Sequence, residues 1–409
     1  MDKSVAAKVS NHHIYDDVAL VILSKLPIKS LFRFVCIRKS WSLLFQNSYF
    51  MDMFRRNFLS VDHSYYNDTS ILLEHITPMA DTHILSPPVL YSLFGERFEN
   101  KVKIDWPNPY QVPYDFSIYG SASVNGIFCI EDTGRVGSFG ECSHVQELYR
   151  IVLWNPATDE CKVIPLSPFA FESSCWDLSI QFHGFGYDQV SDDYKVIRLI
   201  IFFPITDEDW EEARKNGYHD SMWEIYCLKS NCWRKLDLDM PTQYPNCEGV
   251  HVYTDGVCHW WGEDESEIGD EVCLVSFDLN NETFVKTSIP SNVDYIDSTI
   301  VFRHLNILNG SIGFISNYAE TSTFHISILG EVGIKESWIK LFIVGPLSCV
   351  EHPIGIGKKG DIFFRKKDDE LVWFNLNTQK IEDLGLKGIH SCRIMVYKES
   401  FLPFERIND

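Results

Sequence analysis

Apolar positions in the first fifty residues recur at helical spacing, whereas beyond about residue 118 they gather into short alternating runs. Ala19, Ile22, Leu23 and Leu26 fall at i, i+3, i+4 and i+7 and so share one helical face. Asp16 and Asp17 stand where that helix would begin, and carboxylates favour a helix N-terminus. Pro27 ends it, since proline has no N–H to donate and disfavours helix in the residue before it. Ser30 can cap a second helix carrying Leu31, Phe34 and Val35, and Ile37, Trp41, Leu44 and Phe45 form a third apolar set. Helices this short cannot bury all of these side chains against one another, so the leftover apolar surface is expected to need a partner.

The later runs read as strands. Arg150–Trp154, Tyr194–Phe203, Trp223–Leu228, Val250–Tyr253, Val272–Phe277, Ile312–Ser316, Phe324–Leu329, Asp361–Phe364 and Leu371–Phe374 are rich in Val, Ile, Phe, Tyr or Trp and bounded by turn residues. One hairpin phrase recurs: L-W-N-P-A-T-D-E-C at 153–161, S-F-D-L-N-N-E-T-F at 276–284 and W-F-N-L-N-T-Q-K-I at 373–381. A weaker copy stands at 225–233 and a fainter one near Ile326. The markers Trp154, Tyr226, Phe277, Ile326 and Phe374 are separated by 72, 51, 49 and 48 residues, so the first interval holds an insertion. A period near 48 residues suits a four-stranded propeller blade, which must stack on neighbours to cover its faces.

Charge divides the chain at the same place. Residues 1–58 hold nine Lys and Arg against four Asp, a net of +5, while the whole chain is at −21, leaving −26 for the remainder. An acidic body argues against nucleic acid as a ligand. No apolar run reaches membrane-spanning length, the first ten residues lack the apolar core of a secretory signal, and the twelve cysteines form no C-x-x-C pair. These features predict a chain with reduced thiols, no membrane partner, and a cytoplasmic or nuclear location.

The stretch I-Y-D-D-V-A-L-V-I-L-S-K-L-P-I-K-S-L-F-R-F-V-C-I-R-K-S-W from Ile14 to Trp41 resembles an F-box. Ile22, Leu23, Lys25, Leu26, Pro27, Ser30, Leu31, Arg33, Phe34, Cys36, Lys39, Ser40 and Trp41 match the family pattern, whereas Tyr15 and Val21 depart from it. L-W-N-P-A-T, H-G-F-G-Y-D at 183–188, D-D-Y-K-V-I-R at 192–198, V-S-F-D-L at 275–279 and V-W-F-N-L-N-T at 372–378 resemble the F-box-associated, kelch-like domain of plant F-box proteins, a group that includes the S-locus F-box proteins. The resemblance implies a multidomain α plus all-β chain, with a three-helix F-box followed by a kelch-like β-propeller. Its expected boundaries are a flexible N-terminus at 1–13, the F-box at 14–58, a connecting segment at 59–118 that can supply first strands of the body, the propeller at 119–400 and a tail at 401–409. It implies docking on a Skp-type adaptor, and through it on a cullin and a RING protein, by way of Leu23, Leu26, Pro27, Ile28, Leu31, Phe34, Val35, Cys36 and Trp41.

No catalytic set stands out, and no cofactor or metal is expected. Cys258 and His259 are adjacent on a strand and so should point to opposite faces, a strand-edge thiol beside a half-buried imidazole. Cys227, Cys232 and His219 match no zinc spacing, and Gly184, Gly186 and the glycines of 355–360 read as turn glycines. The expected role is a substrate receptor of a Skp–cullin–F-box ubiquitin ligase. An F-box scaffold or inhibitor that degrades nothing, or a propeller enzyme such as a glycosidase, are the alternatives. Within each repeat the loops before the marker strand are unequal, and two are acidic. Asp207, Trp210, Glu211, Glu263, Asp264, Glu267 and Arg365 on that rim are expected to meet a protein target with a basic, partly apolar patch.

Overall fold

The computed structural model describes residues 16–26, 28–35, 41, 43–58, 69–78, 86–109, 116–132, 150–171, 176–204, 221–239, 241–242, 244–245, 251–264, 271–290, 301–318, 320–401 and 404, some by backbone alone. The chain divides into two compact units, Met1–Asp62 and His63–Asp409.

The first unit is helical. Helix α1 spans Asp16–Leu23 and helix α2 Ile28–Val35. The chain leaves α1 through i→i+3 bonds from the Lys25 and Leu26 N–H groups to the Ile22 and Leu23 carbonyl oxygens, a tightened turn. The third helix is displaced from the position expected for it. Leu44–Gln46 is a single 3-10 turn, and helix α3 runs from Ser48 to Phe58. The cause is Asn47, whose side-chain oxygen accepts the Phe50 N–H at 3.1 Å and caps the helix start. Phe50, Phe54 and Phe58 then recur at i+4 and are buried, with the Phe50 and Phe54 rings stacked 6.2 Å apart. Asn57 ties α3 to the end of α1 through a 2.8 Å bond to the Ser24 hydroxyl.

The second unit is built of sheets. Strands β1 (Thr69–His75), β2 (Val89–Phe94) and β3 (Asn100–Ile104) open it. β4 (Phe116–Val124), β5 (Ile127–Asp132), β6 (Ile151–Asn155) and β7 (Glu160–Val163) follow. Next come β8 (Trp176–Asp188), β9 (Asp193–Pro204), β10 (Ser221–Cys227) and β11 (Cys232–Leu236). The short β12 (Tyr244–Pro245) precedes β13 (Val252–Thr254), β14 (Val257–Asp264), β15 (Glu271–Asp278) and β16 (Thr283–Ser288). Then β17 (Val301–Leu308), β18 (Ser311–Tyr318), β19 (Thr323–Leu329) and β20 (Trp338–Val344). β21 (Val350–Ile356), β22 (Asp361–Lys366), β23 (Glu370–Asn375) and β24 (Lys380–Lys387) lead to β25 (Arg393–Lys398).

Pairing groups these strands into five sheets among the described residues, and the eight-stranded one is two blades joined by the parallel pair Val396–Ala122, so there are six blades. Five are consecutive in sequence, while the first is made of β25, β1, β2 and β3, with Ile71 opposite Val396. The innermost strands β25, β4, β8, β13, β17 and β21 touch in that circular order, and β21 returns to β25. The ring therefore begins at Thr69 rather than near residue 119. Its closing strand is Arg393–Lys398, whereas Leu371–Phe374 is an interior strand of the last blade.

The markers Trp154, Tyr226, Phe277, Ile326 and Phe374 all lie on the third strand of their blades. The Asn or Asp that follows the aromatic in three of them explains the repeated phrase. Asn155, Asp278 and Asn375 each accept backbone N–H groups from the turn that they open. Cores form between blades: Trp223 and Ile225 of one pack with Trp260 and Val275 of the next, and Ile71 and Leu73 pack with Phe363 and Trp373 across the closure.

Candidate recognition sites of the head and the ring

The helical unit separates the expected adaptor residues into two kinds. Leu31, with no exposure, and Leu23 are core, so they hold the unit together rather than face a partner. Leu26 is half-buried, and Phe34 is exposed with its ring edge-on to Trp41 at 6.4 Å. Pro27 and Cys36 lie outside the described residues, as do the side chains of Ile28 and Val35. Among the described residues of this unit, the large apolar side chains left exposed are Val18, Val21, Ile22, Phe34, Leu43 and Tyr49. Ile22, expected to share a helical face with Ala19 and Leu23, is 50% exposed whereas those two are buried.

On the ring, the unequal loops join second to third strands and so emerge on one side. Asp207, Trp210, Glu211 and Glu267 lie outside the described residues. The others are engaged by neighbours. Asp264 accepts from Lys286 Nζ at 2.8 Å, and Glu263 sits opposite Tyr244 in the β12–β14 register. The Arg365 guanidinium is held by Glu351, Asp369 and, at 3.1 Å, the Gly388 carbonyl oxygen. Arg365 thus fastens the β22–β23 hairpin, and its charge is compensated before any partner arrives.

The opposite side of the ring, where first strands turn into second strands, carries a cavity of about 230 Å³. Its walls come from β4, β8, β13, β25 and the start of β1. Asn125-Gly126 and Asp255-Gly256 border it, tight hairpin turns with positive φ at both positions, as this turn type requires. Between the pairs Tyr119–Cys129 and Val124–Ile127 the β4–β5 register slips by three residues, so Gly120–Ser123 leave the regular ladder. Gly120, at φ +85°, makes this departure. Opposite it, β8 bulges at His183, between Phe182 and Gly184.

His251 lines the cavity and is 7% exposed, and its Nε2 has no hydrogen-bond partner among the described residues. Burial and the positive Arg393 push this imidazole down to about 4, so it is neutral near pH 7. His183, 5.7 Å away ring to ring, is also driven down by burial and by His251. His304 and His352 stand on the innermost strands of the next two blades. None of these four histidines was singled out from sequence. Their signal is positional: 251, 304 and 352 recur with the blade period.

A profile of the F-box associated beta propeller domain matches residues 142–400 of this chain. The chain belongs to that family. F-box protein CPR1 of Arabidopsis thaliana is 25% identical over 261 residues, 59% of this chain and 60% of that protein. F-box/kelch-repeat protein At3g23880 of the same plant is 23% identical over 401 residues, 96% of each chain. Among solved structures, an oligogalacturonate lyase in complex with manganese superposes with a TM-score of 0.40 at 12% identity, over 73% of this chain and 70% of that one. That likeness is too low to bear on function.

The residues that first suggested chemistry serve packing in this F-box-associated propeller. Cys258 is fully buried, and burial raises its thiol well above the ordinary range, away from the thiolate that nucleophilic attack requires. His259, expected to be half-buried, is also buried and pairs its Nδ1 with the Ser276 hydroxyl at 2.8 Å. Cys227 and Cys232 face each other across the β10–β11 hairpin, and His219 lies outside the described residues. Gly184 and Gly186 are strand residues rather than turn residues. A Cβ on them would come within 2.6 Å of Cys258 and 2.4 Å of Tyr253, so glycine lets adjacent blades approach.

Proposed function

We propose that this chain is the substrate-recognition subunit of a Skp–cullin–F-box ubiquitin ligase, acting in the cytoplasm or nucleus. The observation that carries the reading is an uncovered apolar surface on a small helical unit, in a chain whose remaining domain is an F-box associated propeller. Val18, Val21, Ile22, Phe34, Leu43 and Tyr49 would meet a Skp-type adaptor, and through it a cullin and a RING protein. The propeller would hold a target protein with a basic, partly apolar patch at its unequal loops. Transfer of ubiquitin would then follow from proximity, with no bond made or broken by this chain.

The test is co-purification with a Skp-type adaptor. Replacing Ile22 and Phe34 with Asp should abolish capture, since buried interface anchors are each worth about 2 kcal/mol or more. Undiminished capture would overturn the assignment. Lengthening of a captured target's half-life on loss of the head separates a degrading receptor from a scaffold.

A further inference from the structure

The cavity beside His251 is distinct from the loops assigned to a protein target, because it opens on the opposite side of the ring. Its construction departs from a plain blade junction in three ways. The β4 ladder is interrupted by three extra residues, and β8 is bulged on the facing wall. Beside this interruption the single parallel pair Val396–Ala122 joins β25 to β4. The His251 imidazole, buried beside this space, is left with its Nε2 lacking a hydrogen-bond partner among the described residues, and the buried Ser121 lies next to it in the lining.

The chemistry of the walls selects the occupant. Tyr119, Phe182 and Tyr253 supply aromatic surface, and their rings favour offset or edge contacts with another ring. The Tyr119 and Tyr253 hydroxyls are already bonded, to Glu131 and to the Tyr187 carbonyl, so these residues offer faces rather than polar tips. The other polar side chains of the lining are neutral: His251, Asn125 and the hydroxyls of Thr69, Ser121, Ser123 and Thr254, of which Ser123 accepts the Lys398 N–H. Lys398 and Asp255 carry opposite charges at the mouth and favour no net charge. The volume lies below the roughly 300 Å³ at which drug-sized sites begin, so it suits a single small ring system.

We infer that this cavity binds an uncharged aromatic group with one hydrogen-bonding edge, a phenol or an indole. That group can belong to a free small molecule or to a Tyr or Trp side chain of a bound polypeptide. The inference does not rest on adaptor binding.

The test is saturation-transfer NMR on the full chain with p-cresol, indole, cyclohexanol, acetate and methyl phosphate. Saturable signals for p-cresol or indole, absent for the other three, are expected. Thr254→Trp, which fills the mouth, should weaken that binding by about tenfold or more without changing the melting temperature. Ser121→Tyr serves as a second filling variant should the first fail to fold. Capped Gly-Tyr-Gly and Gly-Trp-Gly peptides then identify the source: tighter binding than the free rings assigns a side chain, and weaker binding a free molecule. No saturable binding of either ring, equal binding of cyclohexanol, or binding unchanged in a folded filling variant would overturn the inference.

Discussion

In the head, Leu31, Phe50 and Phe54 are buried, yet Val18, Val21, Ile22, Phe34, Leu43 and Tyr49 remain open to water within a few turns of helix. In the ring, exposed large apolar side chains such as Phe94, Val190, Ile343 and Phe401 are scattered singly over separate elements. Each blade covers its neighbour, and the last strand returns to cover the first. A closed ring satisfies its own apolar faces, whereas three short helices have too little volume to do so. Uncovered surface in the head is therefore a different kind of fact from an exposed valine on a blade.

The largest effect should come from breaking the closure. Deleting residues 393–409 removes β25 and leaves β1 as an open edge next to a stripped core. The body should lose its cooperative melt and become sensitive to protease. A sharp melt at the wild-type temperature would show that the ring does not depend on β25.

A smaller loss is expected inside an intact ring. Arg198 and Glu224 form a buried ion pair, with Ser167 donating to Glu224 at 2.6 Å and the guanidinium 3.9 Å from the centre of the Trp233 ring. Glu224→Ala strands the arginine charge and should cost about 3–5 kcal/mol in denaturant unfolding, while Arg198→Met with Glu224→Leu should cost far less. Equal losses in the two variants would mean that packing, not charge, is at stake.

Acid should weaken the ring next. His251 takes up a proton near 6.5 when unfolded but only near 4 when folded. Between these values the unfolded chain binds more protons, so stability falls as pH is lowered from about 6.5 to about 4, by up to about 3 kcal/mol. His251→Asn should flatten this part of the melting-temperature profile, and an unchanged slope would place the acid sensitivity elsewhere.

The smallest change sharpens the comparison most. Ile22→Asp lies on the uncovered face of the head and should alter its stability by no more than about 0.5 kcal/mol. Leu31→Ala in the same unit should cost about 2–5 kcal/mol. If the two are equally destabilising by circular dichroism of the isolated signal from the helices, Ile22 is core and the uncovered face is smaller than described.

Most of the ring was legible because its information is local. An aromatic, an Asx turn and a return strand fit within nine residues; that phrase placed three third strands, and its weaker copies at Tyr226 and Ile326 marked two more. The first blade carries no such phrase: its β2 ends Phe94-Gly95 with no Asx turn, and its innermost strand comes from the far end of the chain. Two features were readable but passed over. Asn47 with Phe50, Phe54 and Phe58 marks a capped helix, and the blade-spaced histidines mark the inner strands. The cavity was not legible, because a register slip on β4 has no signature beyond Gly120 and its walls come from several blades.

Closure by β25 also has a meaning in time. His75 leaves the ribosome 318 residues before Arg393, so at roughly 5–20 residues per second β1 waits about 15 s to a minute for its partner. Throughout that wait T-S-I-L-L-E-H is an unpaired edge, the kind of strand that templates aggregation. Glu74 interrupts it. In the finished ring its carboxylate accepts Arg393 at 2.6 and 3.0 Å and the Ile118 N–H at 3.2 Å. Before then it is a bare charge that a stray apolar strand cannot cover cheaply, and the arginine that neutralises it arrives on the one strand meant to pair there.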